Sequence, residues 1–284
     1  MSDLSLIKEL REKTGAGFLD CKNALKENNN DLNLSVDSLR KKGLAKASKK
    51  SSREAKEGAV GFYSNESISV ILKINSETDF SAKSETFLNF LDQMGEIALS
   101  QNSIDLNVEN FLSVKKDDKS VSDILNEMIA KIGENLIIND IKVFDNIKQR
   151  VSYYIHNPYR KNIGKIVSAV FYIIEKSEVE TEVFTKNLCM HIAASKPEAM
   201  SVEELSSELI ENEKKIQQEM IKDSGKPSNV VDKILDGKMK KFYSEVTLLN
   251  QNFVINPDIN VKQAIDEFSK SNKFELVSFA LVTL

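Results

Sequence analysis

Residues 68–99 read ISVILKINSETDFSAKSETFLNFLDQMGEIAL, and the change of period within them decides the fold. Ile68 to Ile74 is a short apolar run rich in β-branched residues, which predicts a strand. Phe87 to Leu99 repeats its apolar residues at helical spacing, which predicts an amphipathic helix. Between them Asn75 to Glu85 is a polar stretch, with one large apolar ring, Phe80, beside the carboxylate of Asp79. A strand that hands over to a helix in this way predicts an α+β chain. Phe80 fits no local capping role. If Ser81 caps the helix, the staple partner of Phe80 is Glu85; if Ser84 caps it, the residue before the cap is Lys83. Two readings therefore stay open: a ring presented to a partner from a rigid strand end, or a ring buried in its own core.

The same order recurs later in the chain. Lys165 to Ile174 (KIVSAVFYII) followed by Phe184 to Ser195 (FTKNLCMHIAAS) echoes Ser67 to Ile74 followed by Phe87 to Ser100, with the helices one residue out of step. This predicts a core of two related α+β halves. Further strands are expected at Ala59–Tyr63, Leu136–Phe144, Val151–Ile155, Ile163–Ile174, Val246–Ile255 and Phe274–Val282. Helices are expected at Val121–Ile132, Phe184–Ala194 and Val261–Phe268.

Upstream, residues 4 to 40 read as three short helices. Their apolar stripes are Leu6-Ile7-Leu10, Phe18-Cys21-Ala24-Leu25 and Leu32-Val36-Leu39, punctuated by Gly15 and by Asn28-Asn29-Asn30. Residues 40 to 56 (RKKGLAKASKKSSREAK) carry eight Lys or Arg against one acid. They read as an RNA or phosphate contact or as a solvated linker. The linker is favoured because no aromatic residue is interleaved for base stacking. Residues 201 to 242 carry Leu205, Leu209, Ile216 and Met220 amid dense charge, then a Ser224-Gly225-Lys226-Pro227 break, then a second apolar series ending at Phe242. This predicts a helical hairpin, a coiled-coil arm whose thin stripe packs weakly or meets a partner, a homodimer through the hairpin included.

Composition bounds the function. Of the 284 residues, 41% are hydrophobic and 29% charged, with a net charge of −4, so the whole molecule does not attract polyanions. The longest apolar candidate, Ile166 to Ile174, is too short to span a bilayer. No export signal is legible at the N-terminus, and Cys21 and Cys189 stand apart, so the expected location is cytoplasmic, with no disulfide framework and no membrane. Catalytic chemistry is not legible. His191 lies on an apolar helix and reads as a satisfied, partly buried histidine. Cys189 and His191 are two residues apart and point different ways. Thr14–Gly17 and Ser224–Ser228 lack the context of a phosphate loop. No cofactor or metal is expected, no catalytic residue is assigned, and a binding protein is favoured over an enzyme.

Five stretches, in order along nearly the whole chain, carry a family resemblance: LIKELREKTGAGFLDCKNAL at 6–25, KINSETDFSAK at 73–83, KIGEN at 131–135, HIAASKPE at 191–198 and GKMKKFYSEVTLLNQNFV at 237–254. They closely resemble bacterial translation elongation factor Ts. The resemblance implies a guanine-nucleotide exchange factor that binds elongation factor Tu and promotes GDP release. It implies an N-terminal three-helix ubiquitin-associated-like module, a two-part antiparallel α+β core and an inserted helical hairpin. The expected layout is 1–54 for the three-helix module with its basic linker, 55–145 and 146–200 for the halves of the core, 201–242 for the hairpin and 243–284 for completion of the core.

By the same resemblance Thr78, Asp79 and Phe80 form the exchange wedge, with Asp79 and Phe80 pushing in near the partner's magnesium and phosphate site. Arg11, Phe18 and Leu19 match contacts to a helix of the GTPase domain, Ile132 matches another contact position, and His156 matches a contact to the partner's β-barrel domain. Nucleic acid is not required. The chain departs from the family at Ser81, where Val is frequent, at Asn139-Asp140, where a basic pair is frequent, and in the NPYRKN loop after His156. It also lacks an Arg at Ser278 and the Gly-Glu-Gly that often follows.

Overall fold

The structure, a computed structural model, describes residues 3–14, 16–175, 179–222 and 228–284. Within them helix and antiparallel sheet are mixed, as the α+β reading expects. The chain divides into two compact units: 1–145 with 157–165 and 283–284, and 146–156 with 166–282.

The first unit opens with α1 (Asp3–Thr14), α2 (Phe18–Glu27) and α3 (Leu32–Lys50). These share a small core of Ile7, Leu10, Cys21, Ala24 and Leu25, closed by Leu32, Val36 and Leu39. Asp31 caps α3 by accepting from the Leu34 amide at 2.9 Å. Gly15 and the Ser224–Pro227 break lie outside the described residues.

The basic stretch is corrected by the structure. It is not a free linker, because α3 runs on through Lys50. Much of its charge is engaged: Arg40 pairs with Asp123 at 3.1 Å, Lys42 with Glu27 at 2.6 Å, and the Lys50 ammonium donates to the Gly133 carbonyl. The apolar stripe fades after Leu39, but Ala, Leu and Lys are strong helix formers, and α3 continues by packing on a later helix.

Then come β1 (Glu57–Ser64), β2 (Ile68–Ser76), a single turn α4 (Asp79–Ala82), α5 (Glu85–Gln101), α6 (Val108–Ser113), the short strands β3 (Lys115–Lys116) and β4 (Lys119–Ser120), α7 (Val121–Ile132) and β5 (Leu136–Asp145). β2 is central, antiparallel to β1 on one side and β5 on the other. α5 and α7 supply the helical layer, and α3 packs on α7. Phe87, Phe90, Leu91, Met94 and Ile97 of α5 fill the core with Val70, Leu72 and Ile74. At Gly95 an added Cβ would lie 2.4 Å from the Tyr63 ring, so helix and sheet approach closely there. Burial pushes the Tyr63 hydroxyl far up in pKa, and it donates to Asp92 at 3.2 Å.

Residues 150–160 form β6 (Arg150–Arg160), longer than the expected Val151–Ile155, and β7 (Ile163–Ile173) follows. Ile163 and Gly164 of β7 pair with Gly61 and Val60. In the second unit β7 continues, followed by α8 (Val179–Ser195), α9 (Ser207–Lys222), α10 (Ser228–Val246), β8 (Asn252–Phe253), β9 (Asn256–Asn260), α11 (Val261–Asn272) and β10 (Glu275–Thr283). Val170, Tyr172, Leu188, Ile192, Leu248, Phe253, Val261 and Phe274 make its core.

Two expectations need correction here. Val246–Ile255 is not a continuous strand: α10 ends at Val246, Thr247 makes an isolated parallel bridge to Ala199, a 3₁₀ turn covers Leu248–Asn250, and Asn252–Phe253 form a two-residue strand. Buried Leu248 and the Gln251 side chain, which donates to the Ser195 and Glu245 carbonyls, organise that turn. In α9 the packing face is also different. Ile210 and Ile221, three turns apart, meet Val231, Leu235, Met239 and Phe242 of α10, whereas Ile216 and Met220 stay exposed.

Candidate functional site

The site grows from the end of β2. The sheet register sets Asn75 opposite Ile137 and Ser76 opposite Leu136. Beyond Ser76 the chain turns at Thr78, which has extended backbone and caps α4 by accepting from the Ser81 amide at 3.2 Å. Ser84 then caps α5, accepting from the Phe87 amide at 3.2 Å. The connection is therefore two capped helices in succession, which the sequence reading did not anticipate. Phe80 sits in the second position of the short first one.

That placement separates neighbours sharply. Ser81 and Ala82 face inward and are buried, while Phe80 is 84% exposed. Of the two readings, the structure takes the exposed one. Asp79 is exposed too, paired with Lys83 at 2.9 Å one turn on. The Lys83 ammonium holds the Asp79 carboxyl below the usual carboxylate range, so it is charged at neutral pH.

The base of the turn is bolted down. The Glu134 carboxylate accepts from the Thr78 amide at 3.0 Å and from the Thr78 hydroxyl at 2.7 Å. The Glu77 carboxylate accepts from the Asn135 amide at 2.6 Å, and the Asn135 side chain donates to the Arg53 carbonyl at 2.7 Å. Behind the turn, Arg160 grips α5. Its guanidinium donates to Asp92 at 2.6 Å, to Asn89 at 2.7 Å and to Glu85. Glu134, Asn135 and Arg160 were not singled out from the sequence. The first two lie inside KIGEN, and the signal that could have found them is the β2–β5 register.

The other expected contacts are placed as follows. Arg11 is exposed on α1, and Phe18 and Leu19 are 46% and 66% exposed on α2 although both are apolar. Ile132 ends α7, half-buried against the first unit's core. His156 belongs to the second unit, exposed on β6 with the Tyr154 hydroxyl 3.3 Å away.

Comparison with known proteins decides the family. The family model described as "Elongation factor TS" matches residues 77–284, from the base of this turn to the last residue. A relative from Allorhizobium ampelinum named "Elongation factor Ts" is 39% identical over 269 residues, covering 94% of this chain and 86% of its own. Relatives of the same name from Bartonella henselae and Paracoccus denitrificans are each 40% identical, covering 93% of this chain and 86% of theirs. The chain belongs to the elongation factor Ts family. It is thereby a translation elongation factor.

Two side chains outside the turn bear on other chemistry. Cys189 is fully buried, and burial pushes its thiol well above the range in which a thiolate forms, so it is an inert core residue. His191 is completely buried rather than partly so, and both ring nitrogens are used, with Gln251 Oε1 at 2.9 Å and the Val254 amide at 3.2 Å. Among the described residues no helix is long and apolar enough to cross a membrane, and no group of His, Cys, Asp and Glu is placed to hold a metal ion.

Proposed function

We propose that this chain is a guanine-nucleotide exchange factor for elongation factor Tu, acting in the cytoplasm, with Asp79 and Phe80 as the wedge. The observation that carries the reading is Phe80: a large apolar ring 84% exposed on a capped turn, immediately before the buried Ser81 and Ala82. Leaving such a ring in water has no benefit for the isolated fold. Its natural use is burial in a partner, and the family supplies the partner.

Exchange is negative coupling between two ligands of one protein. Each distorts the other's site and weakens it by the same factor. A thousandfold loss of GDP affinity corresponds to about 4 kcal/mol. Burying one Phe yields about 1.5–3 kcal/mol, so the wedge alone falls short and further contacts must hold it in place. Arg11, Phe18, Leu19, Ile132 and His156 are proposed for that role, Phe18 and Leu19 being supported by their unexplained exposure. Disturbing the partner's magnesium and phosphate ligands is an efficient target, because charge-assisted contacts carry much of a nucleotide's affinity. The wedge needs no acid, base or metal of its own. We further read α1–α3 as a ubiquitin-associated-like module that confers affinity and α9–α10 as an inserted hairpin not required for exchange.

Release of fluorescent GDP from elongation factor Tu, followed with and without this protein, tests the reading. Acceleration that saturates with protein concentration is expected. A release rate independent of the protein would sink it.

A further inference from the structure

The clamp on Thr78 follows from the sheet. Ser76 stands opposite Leu136, and the register carried outward brings Glu77 to Asn135 and Thr78 to Glu134. Past the last ladder pair, side chains take over from backbone. Asn135 N–H donates to Glu77, then Thr78 N–H and Thr78 O–H both donate to Glu134. The same Thr78 hydroxyl accepts from the Ser81 amide, so a directed chain runs from Ser81 N–H through Thr78 to the Glu134 carboxylate. A hydroxyl that donates to a carboxylate becomes a better acceptor, so the links reinforce one another.

α4 needs such support. It is one turn of four residues, closed by the Ala82 and Lys83 amides on the Thr78 and Asp79 carbonyls, and a helix this short does not persist by itself. Glu134 is well placed to supply it. Gly133 before it caps α7 in the left-handed region at φ 88°, with its amide on the Ile129 carbonyl. Asn135 after it is buried and bonded to Arg53. The carboxylate thus reaches Thr78 from a backbone fixed on both sides.

We infer that Glu134 is a positioning residue for exchange: its carboxylate presets the Thr78–Ser81 turn so that Asp79 and Phe80 project before the partner arrives. This rests on the proposed exchange function and deepens it. Its signature is a loss in the exchange step rather than in affinity, because the remaining interface is untouched and only wedge preorganisation is lost.

Two measurements test it. In the free protein, amide hydrogen exchange at Thr78 and Ser81 should speed up about tenfold in Glu134→Gln, whose amide presents a donor to a donor. With elongation factor Tu, saturating GDP release should fall about tenfold while the half-saturating concentration moves less than about threefold. Thr78→Val should reproduce both effects and Thr78→Ser should recover most of the loss. Combining Glu134→Gln with Thr78→Val should do no more damage than the worse single change. An unaltered saturating rate in Glu134→Gln, a loss confined to half-saturation, or an additive double variant would each overturn the inference. If the wild-type protein leaves GDP release unchanged, the exchange reading itself is at fault, and the amide exchange rates still decide whether Glu134 holds the turn.

Discussion

Phe80 follows β2 and stands almost alone in solvent. Phe184, on the helix after β7, stacks on Phe268 with ring centroids 4.2 Å apart and meets Phe274 edge-on at 5.5 Å. The two strand–helix pairs echo each other in sequence, and Phe87, the counterpart of Phe184, packs into the core as well, yet the first pair also carries a ring, Phe80, that it exports ahead of its helix. They also treat polar groups oppositely. The first unit keeps Asp79, Lys83 and Glu77 at its turn, whereas α8 takes His191 into its core. The second unit shows what an aromatic does when the fold alone decides. The first shows a ring held out against that tendency by capped, bonded backbone.

The sharpest way to break this contrast is within one connection, at Phe80 and Phe87. Phe87 is fully buried, so Phe87→Ala should cost about 3–5 kcal/mol in urea unfolding. Phe80→Ala should stay within about 0.5 kcal/mol of wild type, as an exposed site with no structural duty does. Similar losses at the two positions would place Phe80 in the core and end the wedge reading.

Next in size is the functional cost of the same turn. Asp79→Ala combined with Phe80→Ala should lower saturating GDP release about 100-fold, each 1.4 kcal/mol of lost coupling being tenfold. Melting temperature should hardly move, and binding to nucleotide-free Tu should weaken less than exchange does. A melting loss large enough to account for all the missing activity contradicts the assignment.

A smaller effect is expected at α2. Phe18→Ala with Leu19→Ala should raise the half-saturating concentration about tenfold and leave the saturating rate within about threefold. Point changes are preferable to deleting residues 1–54. α3 packs on α7, where Gly43 lies close to Ala130, so a deletion would uncover part of the first unit. A fall in the saturating rate instead would move Phe18 and Leu19 into the exchange step.

Much of this was legible from period alone. The switch at residues 68–99 appears as β2 and α5, and α7, α11 and β10 fall where apolar spacing puts them. The misses have physical causes. α3 outlasts its apolar stripe because helix propensity and packing on α7 carry it through charged residues. Thr247 to Asn250 looks strand-like in composition, but burial of Leu248 and the hydrogen bonds of Gln251 override that preference. α6 is only six residues long and rests on an Asn107–Asn110 capping box, too short for any period to register. At the candidate site the exposed ring was left open by the sequence, since no capping register could house it. Glu134 could not be seen without the β2–β5 register, because residues 56 positions apart meet only through pairing.

The smallest predicted effect belongs to the second unit and sharpens the contrast in polar groups. His191 is fully buried, and its neighbours fix its tautomer. Nε2 lies 2.9 Å from Gln251 Oε1 and must donate, while Nδ1 accepts from the Val254 amide at 3.2 Å. Protonating Nδ1 would set donor against donor, and burial opposes the charge as well. Burial accordingly lowers the pKa of His191, with the Gln251 bond pulling weakly the other way. The sign follows from proton counting. Below the unfolded histidine's value of about 6.5, the unfolded chain holds a proton that the folded chain refuses. Stability should therefore be fully present above pH of about 6.5 and fall as pH drops toward the folded pKa, with a slope of at most about 1.4 kcal/mol per pH unit. Urea unfolding between about pH 7.5 and 5.5 measures it, in wild type and in His191→Gln. The wild type should lose stability across that window and the variant should be flatter, whatever its stability at neutral pH. Equal slopes in both would mean that His191 accepts its proton inside the fold, and that the second unit does not keep this polar group neutral.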